Sequence, residues 1–370
     1  MSARIRPNVL RMQPYLPGKP IEEVKRELGL DRIVKLASNE NPFGPSPKAI
    51  AAVQAAAERM HIYPDGAAFE LKSAAAAKFG LPIESIMVGN GSDELIHLLG
   101  LILLGTESDE MIVGDPSFSR YDAAAHLVPC QLIKVPLDRH YRHDLTAMAK
   151  AVTDNTKLIF IANPNNPTGT IVRKSELDKF LSEIPQDIVV VLDEAYFEFA
   201  SHLEEYPDGI DYVKQGRNIV SLRTFSKAHG LAGIRVGLGF TTPEINDAIN
   251  RAREPFNVNC LAQVAGVAAL SDDEHVAKTV ANNQKGLDRL AAAFRSVGAT
   301  PIESFANFAC ADFGRPAGPI FKALLQLGVI TRSGEGLSMP TCLRVSVGTE
   351  EEMEIFEAAL QKVVPVLTSA

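Results

Sequence analysis

Between residues 85 and 240 the sequence alternates between short β-rich runs and helix-like segments, and this alternation limits the folds open to the chain. The β-rich runs are IMVG, MIVG, QLIKV, LIFIA, IVVVL and IVSL, and helical patterns lie between them at 92–104, 118–127, 144–152 and 174–182. The apolar runs are continuous, as is typical of strands buried on both faces. The pattern predicts an α/β fold with a mostly parallel sheet that helices cover on both faces.

The regions on either side of this alternation have a different character. Residues 1–35 are rich in proline, with one short helical stretch, and longer helical patterns and the strand-like runs FACADF and LRVSV follow residue 243. A chain of 370 residues, of which 46% are hydrophobic, has enough apolar material for two domains. We predict a large domain over 46–254 and a smaller α+β domain over 255–370. The N-terminal arm, 1–45, contributes to the smaller domain.

Charge and hydropathy exclude several classes of function. The net charge is −8 and no basic block is longer than two residues, which argues against nucleic acid as a partner. The longest apolar run, LIHLLGLILLG at 95–105, is too short to span a membrane and predicts a core helix. The N-terminus lacks the apolar region of a signal peptide. The four cysteines are far apart, which predicts a cytoplasmic protein with reduced thiols and no zinc site.

Polar or glycine-rich groups follow five of the predicted strands. They are NGSDE after IMVG, DPSF after MIVG, NPNNPTG after LIFIA, DEAY after IVVVL and RTFSK after IVSL. In open α/β sheets, ligands bind beyond the carboxyl ends of the strands. The sequence therefore predicts a ligand site at this edge of the sheet.

Each of these groups, taken alone, has more than one interpretation. In GNGSDELI, the glycines and an N-capping Ser92 predict a phosphate-binding helix start, although Asp93 and Glu94 also suit simple helix capping. NPNNPTG places the Asn166 amide in a rigid turn, which could equally be a turn without a function. The acidic pair that begins at Asp193 could hold Mg²⁺ in an ATPase, but the required P-loop is absent. Alternatively, Asp193 pairs with a cationic ring nitrogen.

The stretch RTFSKAHGLAGIRVG, residues 223–237, distinguishes these possibilities. Lys227 stands between Thr224 and Ser226 on one side and a glycine-rich run that ends at Arg235 on the other. An arginine binds phosphate well because its planar fork donates two parallel hydrogen bonds. A desolvated lysine near another cation has a lowered pKa and is a usable amine. Together with a carboxylate for a ring nitrogen, these residues match the requirements of pyridoxal 5′-phosphate.

The sequence resembles the fold-type I aminotransferases, and in particular the histidinol-phosphate aminotransferase family. The resemblance runs over nearly the whole chain, and seven motifs carry it in the expected order: SNENPFGPSP, YPDG, GNGSDELI, NPNNPTGT, DEAYFEF, RTFSKAHGLAGIRVG and RSGEGLSMPTCLRVSVGT. It implies the fold-type I architecture and pyridoxal 5′-phosphate as cofactor. It also implies a role in histidine biosynthesis, with amino transfer between histidinol phosphate and 2-oxoglutarate.

The resemblance also implies roles for residues around the cofactor ring. Lys227 forms the Schiff base with the cofactor and acts as the acid and base of the proton shift. Asp193 pairs with the pyridine nitrogen, and Asn166 and Tyr196 bind the phenolic oxygen. Phe118 matches the position that stacks on the ring, where relatives often have tyrosine.

Further implied contacts concern the cofactor phosphate and the substrate. The phosphate-binding residues would be Gly91, Ser92, Asp93, Thr224, Ser226 and Arg235. Tyr63, in YPDG, is expected to reach the cofactor phosphate of a neighbouring subunit, which implies a homodimer with shared active sites. Arg344 matches the arginine that binds the substrate anion, and the residues expected beside it are Arg332, Tyr15 and Asn39.

Three other functions are compatible with the same motifs. An aromatic amino-acid aminotransferase would use Arg344 for a tyrosine or phenylalanine carboxylate. The stretch RSGEGLSMPTCLR resembles histidinol-phosphate enzymes that also accept these amino acids, so one enzyme could have both activities. A threonine-phosphate decarboxylase would share the scaffold, and a regulator that only binds pyridoxal phosphate would need an additional domain. Among the histidines, His229 is close to Lys227 but is predicted to be non-catalytic. His97 is predicted to lie in the core, and His140 and His143 are predicted to be solvated.

Overall fold

The computed structural model describes residues 4–12, 14 and 18–368. In this part of the chain the helices are α1 (Pro7–Arg11), α2 (Ile21–Leu28), α3 (Pro47–Ala56), α4 (Phe69–Phe79), α5 (Ser92–Leu103), α6 (Arg120–Leu127), α7 (Leu145–Lys150), α8 (Lys174–Glu183), α9 (Phe197–Ala200), α10 (Gly209–Lys214), α11 (Pro243–Ala252), α12 (Cys260–Leu270), α13 (Asp273–Ser296), α14 (Gly318–Gln326) and α15 (Glu350–Thr368). The strands are β1 (Val34–Lys35), β2 (Ile86–Gly89), β3 (Glu110–Asp115), β4 (Gln131–Pro136), β5 (Thr156–Ala162), β6 (Val189–Asp193), β7 (Ile219–Thr224), β8 (Gly237–Phe240), β9 (Thr300–Pro301), β10 (Phe308–Asp312), β11 (Val329–Ile330), β12 (Arg332–Ser333) and β13 (Cys342–Ser346).

The main sheet contains all six of the predicted strands. Among the described residues it has seven strands in the order β2-β8-β7-β6-β5-β3-β4. All neighbours pair in parallel except β8, which is antiparallel to both β2 and β7. The predicted α/β class with a mostly parallel sheet is confirmed.

Strand β8 is not among the predicted strands. Its sequence, GLGF, is half glycine, and glycine is depleted in strands. The glycines serve close packing instead: a Cβ at Gly237 would lie 2.5 Å from the backbone nitrogen of Ser92, and one at Gly239 would lie 2.4 Å from Cε of Met87. The strand therefore favours glycine, because the backbone at the start of α5 on one side and packed side chains on the other leave little room for a side chain.

Helices cover both faces of the main sheet, and alternate residues of each strand point into two separate cores. In β6, for example, Val190 belongs to the core that contains residues of α4, α7, α8, α10 and α12, whereas Val191 belongs to the core that contains residues of α5, α6 and α11. The predicted core helix at 95–105 corresponds to α5. No helix among the described residues is both long enough and apolar enough to cross a membrane.

The two ends of the chain meet in a second, smaller unit. Strand β1 pairs in parallel with β11, with Val34 opposite Val329. Beside them lies an antiparallel sheet in the order β12-β13-β10-β9. Val34 and Leu36 share a core with Phe294 of α13 and Phe356 of α15. This packing supports the predicted α+β domain made from both chain ends.

The position of α12 differs from the predicted domain boundary at 254/255. Ala262, Ala265 and Ala269 of this helix lie in the same core as Leu71 and Ala75 of α4. A Cβ at Gly266 would lie only 2.9 Å from Cδ1 of Leu71, so the two helices are in close contact. A helical sequence pattern does not reveal which layer the helix joins. We propose that the large domain extends through α12 and that the C-terminal part of the small domain begins with α13.

Candidate active site

A cavity of about 390 Å³ lies at the carboxyl edge of the main sheet, where the sequence predicted a ligand site. Its walls come from the ends of β3, β5, β6 and β7, from the start of α5 and from the small unit. Among the residues predicted for the site, those lining the cavity are Asn39, Ser92, Asp93, Phe118, Asn166, Asp193, Tyr196, Thr224, Ser226, Lys227, Arg235 and Arg344. The parallel sheet brings these residues together because its strand ends share one edge.

Lys227 projects into the cavity from the loop that follows β7. Its Nζ donates a hydrogen bond to the backbone oxygen of Ser38 at 3.2 Å and lies 5.8 Å from the centre of the Tyr196 ring. Burial and the nearby Arg344 guanidinium lower the pKa of Lys227 from its ordinary value to about 8. Near neutral pH this lysine therefore has a larger fraction of unprotonated, nucleophilic amine than an exposed lysine has.

Asp193 is the last residue of β6 and is 4% exposed. Its Oδ2 accepts a hydrogen bond from the Tyr121 hydroxyl at 2.7 Å, and its Oδ1 accepts one from the Ala195 N–H at 3.2 Å. Burial raises the pKa of Asp193 to about 6, against the lowering effect of the Tyr121 hydrogen bond. The carboxylate thus has a fixed orientation at one end of the cavity.

Glu194, the second member of the acidic pair, faces the opposite side of the sheet. Its Oε2 accepts hydrogen bonds from the Ser221 hydroxyl at 2.5 Å and from Arg223 Nε at 3.4 Å, and its Oε1 accepts one from the Gly209 N–H at 2.9 Å. Burial raises the pKa of Glu194 to about 7, and Arg223 opposes this shift. The two carboxylates point in opposite directions, which is not the arrangement that a shared Mg²⁺ would need.

The start of α5 forms a cradle with Arg235. Gly91 has a φ of 77°, and a Cβ there would lie 2.5 Å from Nη2 of Arg235. Arg235 itself has the left-handed φ of 61°, and its Nη1 donates to the Ala232 carbonyl oxygen at 3.0 Å and to the Ser226 hydroxyl at 3.5 Å. Free N–H groups at a helix start and a guanidinium together form an anion-binding site.

One detail of this helix start differs from the prediction. Gly91 is the N-cap of α5 and Ser92 is its first helical residue, so Ser92 does not cap the helix. The reason is the left-handed φ of Gly91, a conformation that serine adopts only with strain. Both residues still lie at the predicted position.

Arg344 and Asn39 bring the small unit to the cavity. Nη1 of Arg344 donates to Oδ1 of Asn166 at 2.5 Å, and its Nη2 donates to the Ala37 carbonyl oxygen at 2.8 Å. Nδ2 of Asn39 donates to the Tyr196 hydroxyl at 2.9 Å. Residues from both units therefore form one hydrogen-bonded wall.

Two predicted residues lie outside the cavity wall, and a third is not described. Arg332 is opposite Arg344 on the neighbouring strand β12. Tyr63 is 80% exposed and stacks on Phe256 with the ring centres 4.8 Å apart. Tyr15 is outside the described residues. The roles proposed for these three residues remain predictions.

The structure corrects the prediction for one histidine. His143 was expected to be solvated, but it is buried, with Nε2 3.1 Å from the Ala162 carbonyl oxygen. Gly114 of β3 provides the space, because a Cβ there would lie 2.2 Å from Nδ1 of His143. His140 is exposed, as predicted.

Three residues that are not among the predicted site residues also line the cavity: Ser38, Arg120 and Tyr121. One signal was available for Tyr121: it follows Phe118 by three residues in a helical pattern, which places both rings on the same side of a helix. Nothing in the sequence around Ser38 indicates that its backbone oxygen receives a hydrogen bond from Lys227.

Comparison with known proteins identifies the family. The model for "Aminotransferase class I and II" matches residues 31–360. The chain is 49% identical to a histidinol-phosphate aminotransferase of Moorella thermoacetica, covering 97% of this chain and 93% of that one. It is 47% identical to histidinol-phosphate aminotransferase 2 of Carboxydothermus hydrogenoformans, with coverage of 98% and 100%.

A solved structure supports the same assignment. The crystal structure of histidinol-phosphate aminotransferase from Sinorhizobium meliloti, in complex with pyridoxal-5′-phosphate, matches with a TM-score of 0.90 at 27% identity and covers 99% of each chain. The architecture is thus that of the fold-type I enzymes. Since family model, sequence relatives and fold agree over nearly the full length, the chain belongs to the class I and II aminotransferases and, within them, to the histidinol-phosphate aminotransferase family.

Proposed function

We propose that the protein is a histidinol-phosphate aminotransferase, which transfers an amino group between histidinol phosphate and 2-oxoglutarate with pyridoxal 5′-phosphate as cofactor. One observation carries the proposal: the Lys227 amine, the Asp193 carboxylate and the Arg344 guanidinium line the same cavity. The reaction needs an amine, an acceptor for a ring nitrogen and a group that binds the substrate anion. The full-length relatives carry this activity in their names.

The residues of the cavity fit the cofactor. The space left by glycine at Gly91 allows the Arg235 guanidinium to approach the start of α5, and the Thr224 and Ser226 hydroxyls line the same cavity. Together with the backbone N–H groups around Gly91, Ser92 and Asp93, they would hold the phosphate. When bound, pyridoxal 5′-phosphate draws electrons away from the substrate Cα and so weakens the Cα–H bond.

Lys227 is proposed to hold the cofactor and to move the proton. Its lowered pKa makes Nζ suited to accept the proton that leaves the substrate Cα and to return it. Asp193 would accept a hydrogen bond from the pyridine nitrogen and keep that nitrogen protonated. Asn166 and Tyr196 would bind the phenolic oxygen, and Phe118 would pack against the ring.

Arg344 is proposed to orient the substrates. Histidinol phosphate has no carboxylate, so its phosphate is the anion to be bound, whereas glutamate offers a carboxylate. A guanidinium binds both anions through two parallel hydrogen bonds. Asn39, Arg332 and Tyr15 would assist at the same end of the site.

A homodimer with shared active sites completes the proposal. Tyr63 lies on an exposed apolar surface together with Met60, Ile62 and Phe256, which are 60%, 56% and 44% exposed. A surface of this kind is typical of a protein interface. Across it, Tyr63 would reach the cofactor phosphate of the partner. The acidic charge and the free cysteines favour a cytoplasmic location.

Mixed dimers test the shared site. Lys227→Ala subunits and Tyr63→Phe subunits should each have low activity at limiting cofactor. If Tyr63 acts across the interface, a mixed dimer has one site with both changes and one with neither, so activity should exceed that of both parents. No recovery after proven subunit exchange would show that Tyr63 does not act in the partner's site.

The substrate proposal is tested by an amino-donor profile with 2-oxoglutarate as acceptor. Histidinol phosphate, tyrosine, phenylalanine and threonine phosphate are compared by kcat/KM, and histidinol phosphate should have the highest value. A higher value for tyrosine or phenylalanine would instead identify an aromatic aminotransferase. Release of carbon dioxide from threonine phosphate would identify a decarboxylase, and cofactor binding without turnover of any donor would identify a regulator.

A further inference from the structure

Tyr121 lies in the wall of the cavity, is almost fully buried and is held by aromatic contacts. It is the second residue of α6 and is 1% exposed. Its ring stacks on Phe160 with the ring centres 4.5 Å apart, and it meets Phe118 edge to face at 5.8 Å. Two aromatic contacts thus hold the ring, and they aim its hydroxyl at Oδ2 of Asp193, 2.7 Å away.

We propose that Tyr121 is a positioning residue for Asp193, whose carboxylate its hydroxyl keeps ionised and correctly turned for the pyridine nitrogen of the cofactor. The inference rests on the proposed function, because it assumes the role of Asp193 given there. Oδ1 is held by the Ala195 N–H and Oδ2 by Tyr121. With one hydrogen bond on each oxygen, the carboxylate cannot rotate without losing both.

The Tyr121 hydroxyl favours the ionised form of the Asp193 carboxyl group. Burial and the Asp193 charge raise the pKa of the Tyr121 hydroxyl well above its ordinary value, so Tyr121 remains a donor at any working pH. A donor stabilises the charged form of a carboxyl group over the neutral form. Burial already favours the neutral form of Asp193, and loss of the Tyr121 hydrogen bond would favour it further.

Other charged groups face Asp193 and contribute to its ionisation. Asp93, at the start of α5, raises the pKa of Asp193, whereas Lys227 lowers it. Tyr196, another titratable group, also lies in the cavity. The Tyr121 hydroxyl donates as a neutral group, so it can be removed without changing the net charge of the site.

The test uses Tyr121→Phe, which removes the hydroxyl and keeps the ring. Tyr212→Phe is the matched control, because Tyr212 is also 1% exposed and its hydroxyl donates to Oδ1 of Asp178 at 2.7 Å, away from the cavity. The readouts are the dissociation constant of pyridoxal 5′-phosphate from about pH 5 to pH 9, measured by absorbance, and the melting temperature of the apoprotein.

Tyr121→Phe should bind the cofactor about tenfold more weakly near pH 7, because a charge-assisted hydrogen bond is lost. The loss of affinity should grow as the pH falls, because Asp193 becomes protonated at a higher pH in Tyr121→Phe than in the wild type. Tyr212→Phe should lower the melting temperature without changing cofactor affinity. The double variant Tyr121→Phe with Asp193→Asn should bind no more weakly than Asp193→Asn alone, since Tyr121 acts through Asp193.

Contrary results separate the inference from the proposed function. If Tyr121→Phe lowers only the melting temperature and leaves the pH profile of cofactor binding unchanged, Tyr121 has a structural role and the inference is wrong. If Asp193→Asn itself binds the cofactor like the wild type, the proposed role of Asp193 fails instead. If Tyr121→Phe does not fold, ¹³C NMR of the wild-type apoprotein, labelled at the aspartate γ-carbons, measures whether the Asp193 carboxyl group is ionised. A neutral Asp193 carboxyl group at pH 7 would overturn the inference.

Discussion

The Arg344 guanidinium and the Asn166 side chain are joined by a direct hydrogen bond, in which Nη1 donates to Oδ1 at 2.5 Å. Arg344 comes from β13 of the small unit, whereas Asn166 follows β5 of the main sheet. Because Oδ1 is engaged with Arg344, the amide of Asn166 has its Nδ2 group as a donor for another partner. Arg344, which is proposed to bind the substrate anion, is thus directly linked to Asn166, which is proposed to bind the phenolic oxygen of the cofactor.

Replacing Arg344 with lysine should damage substrate binding and spare the cofactor. Lysine keeps the charge but loses the planar fork, and a hydrogen bond to a charged group contributes about 1.5–3 kcal/mol. We expect kcat/KM to fall about tenfold or more for both histidinol phosphate and glutamate, with unchanged cofactor affinity. Arg332→Lys, on the neighbouring strand, is the comparison. Damage to glutamate alone would show that other residues hold the phosphate of histidinol phosphate, and Arg332 would be the first candidate.

Borohydride should fix the cofactor to Lys227. The reagent reduces the bond between a lysine amine and the cofactor aldehyde, and peptide mapping then locates the modified residue. Lys72 is an internal control, because it is another buried lysine whose pKa is lowered by burial, but it lies on α4. Modification of Lys72 or of any lysine other than Lys227 contradicts the proposal. Lys227→Ala should lose activity by a factor of at least about 10²–10⁴, the usual contribution of acid–base transfer.

The rate at which the apoprotein captures pyridoxal 5′-phosphate should depend on the protonation of Lys227. The neutral amine is the nucleophile, so the rate should rise with pH and level off above about pH 8, the pKa of Lys227 in the folded protein. Arg344→Gln removes a positive charge that lowers this pKa, and the profile should therefore move to higher pH. Stopped-flow absorbance measures the rate, with Arg332→Gln as a control for loss of charge. A profile in Arg344→Gln that matches the wild type would mean that Arg344 does not set the pKa of Lys227.

Gly91→Ala should weaken cofactor binding through the phosphate. A Cβ at this position has an unfavourable φ of 77° and lies 2.5 Å from Nη2 of Arg235, so the guanidinium must move away from α5. We expect at least about a tenfold loss of cofactor affinity, equivalent to one charge-assisted hydrogen bond. Gly105→Ala is the control, because a Cβ at Gly105 meets nothing within 4 Å. Equal affinities in the two variants would remove Arg235 from the phosphate site.

The sequence predicted the main sheet and the position of its ligand site well, because both follow from burial. A run such as LIFIA has no polar face, and this excludes a strand exposed on one side. The parallel arrangement then brings Asn166, Asp193 and Lys227 to one edge. The physical constraint is strong here, since parallel strands buried on both faces bring the polar residues that follow them to one edge of the sheet.

The features that the sequence did not reveal depend on contacts between distant segments. Strand β8 depends on the close approach of Ser92 and Met87 to its glycines, and the burial of His143 depends on the space left by Gly114. The Tyr121–Asp193 hydrogen bond joins residues 72 positions apart. Local patterns of hydropathy carry no information about such pairs, and the packing of α12 against α4 was missed for the same reason.

The small unit can form only late during synthesis on the ribosome. Strand β1 at Val34 has no strand partner until β11 at Val329 has emerged, whereas the large domain, as proposed above, ends with α12 at Leu270. Domains fold as units while the chain is being made. A nascent chain that stalls between these points would carry Lys227 and Asp193 at the edge of a formed sheet, but not Arg344. It could capture the cofactor before it could hold a substrate, so pyridoxal 5′-phosphate would be available to stabilise the incomplete chain while the small unit is still being translated.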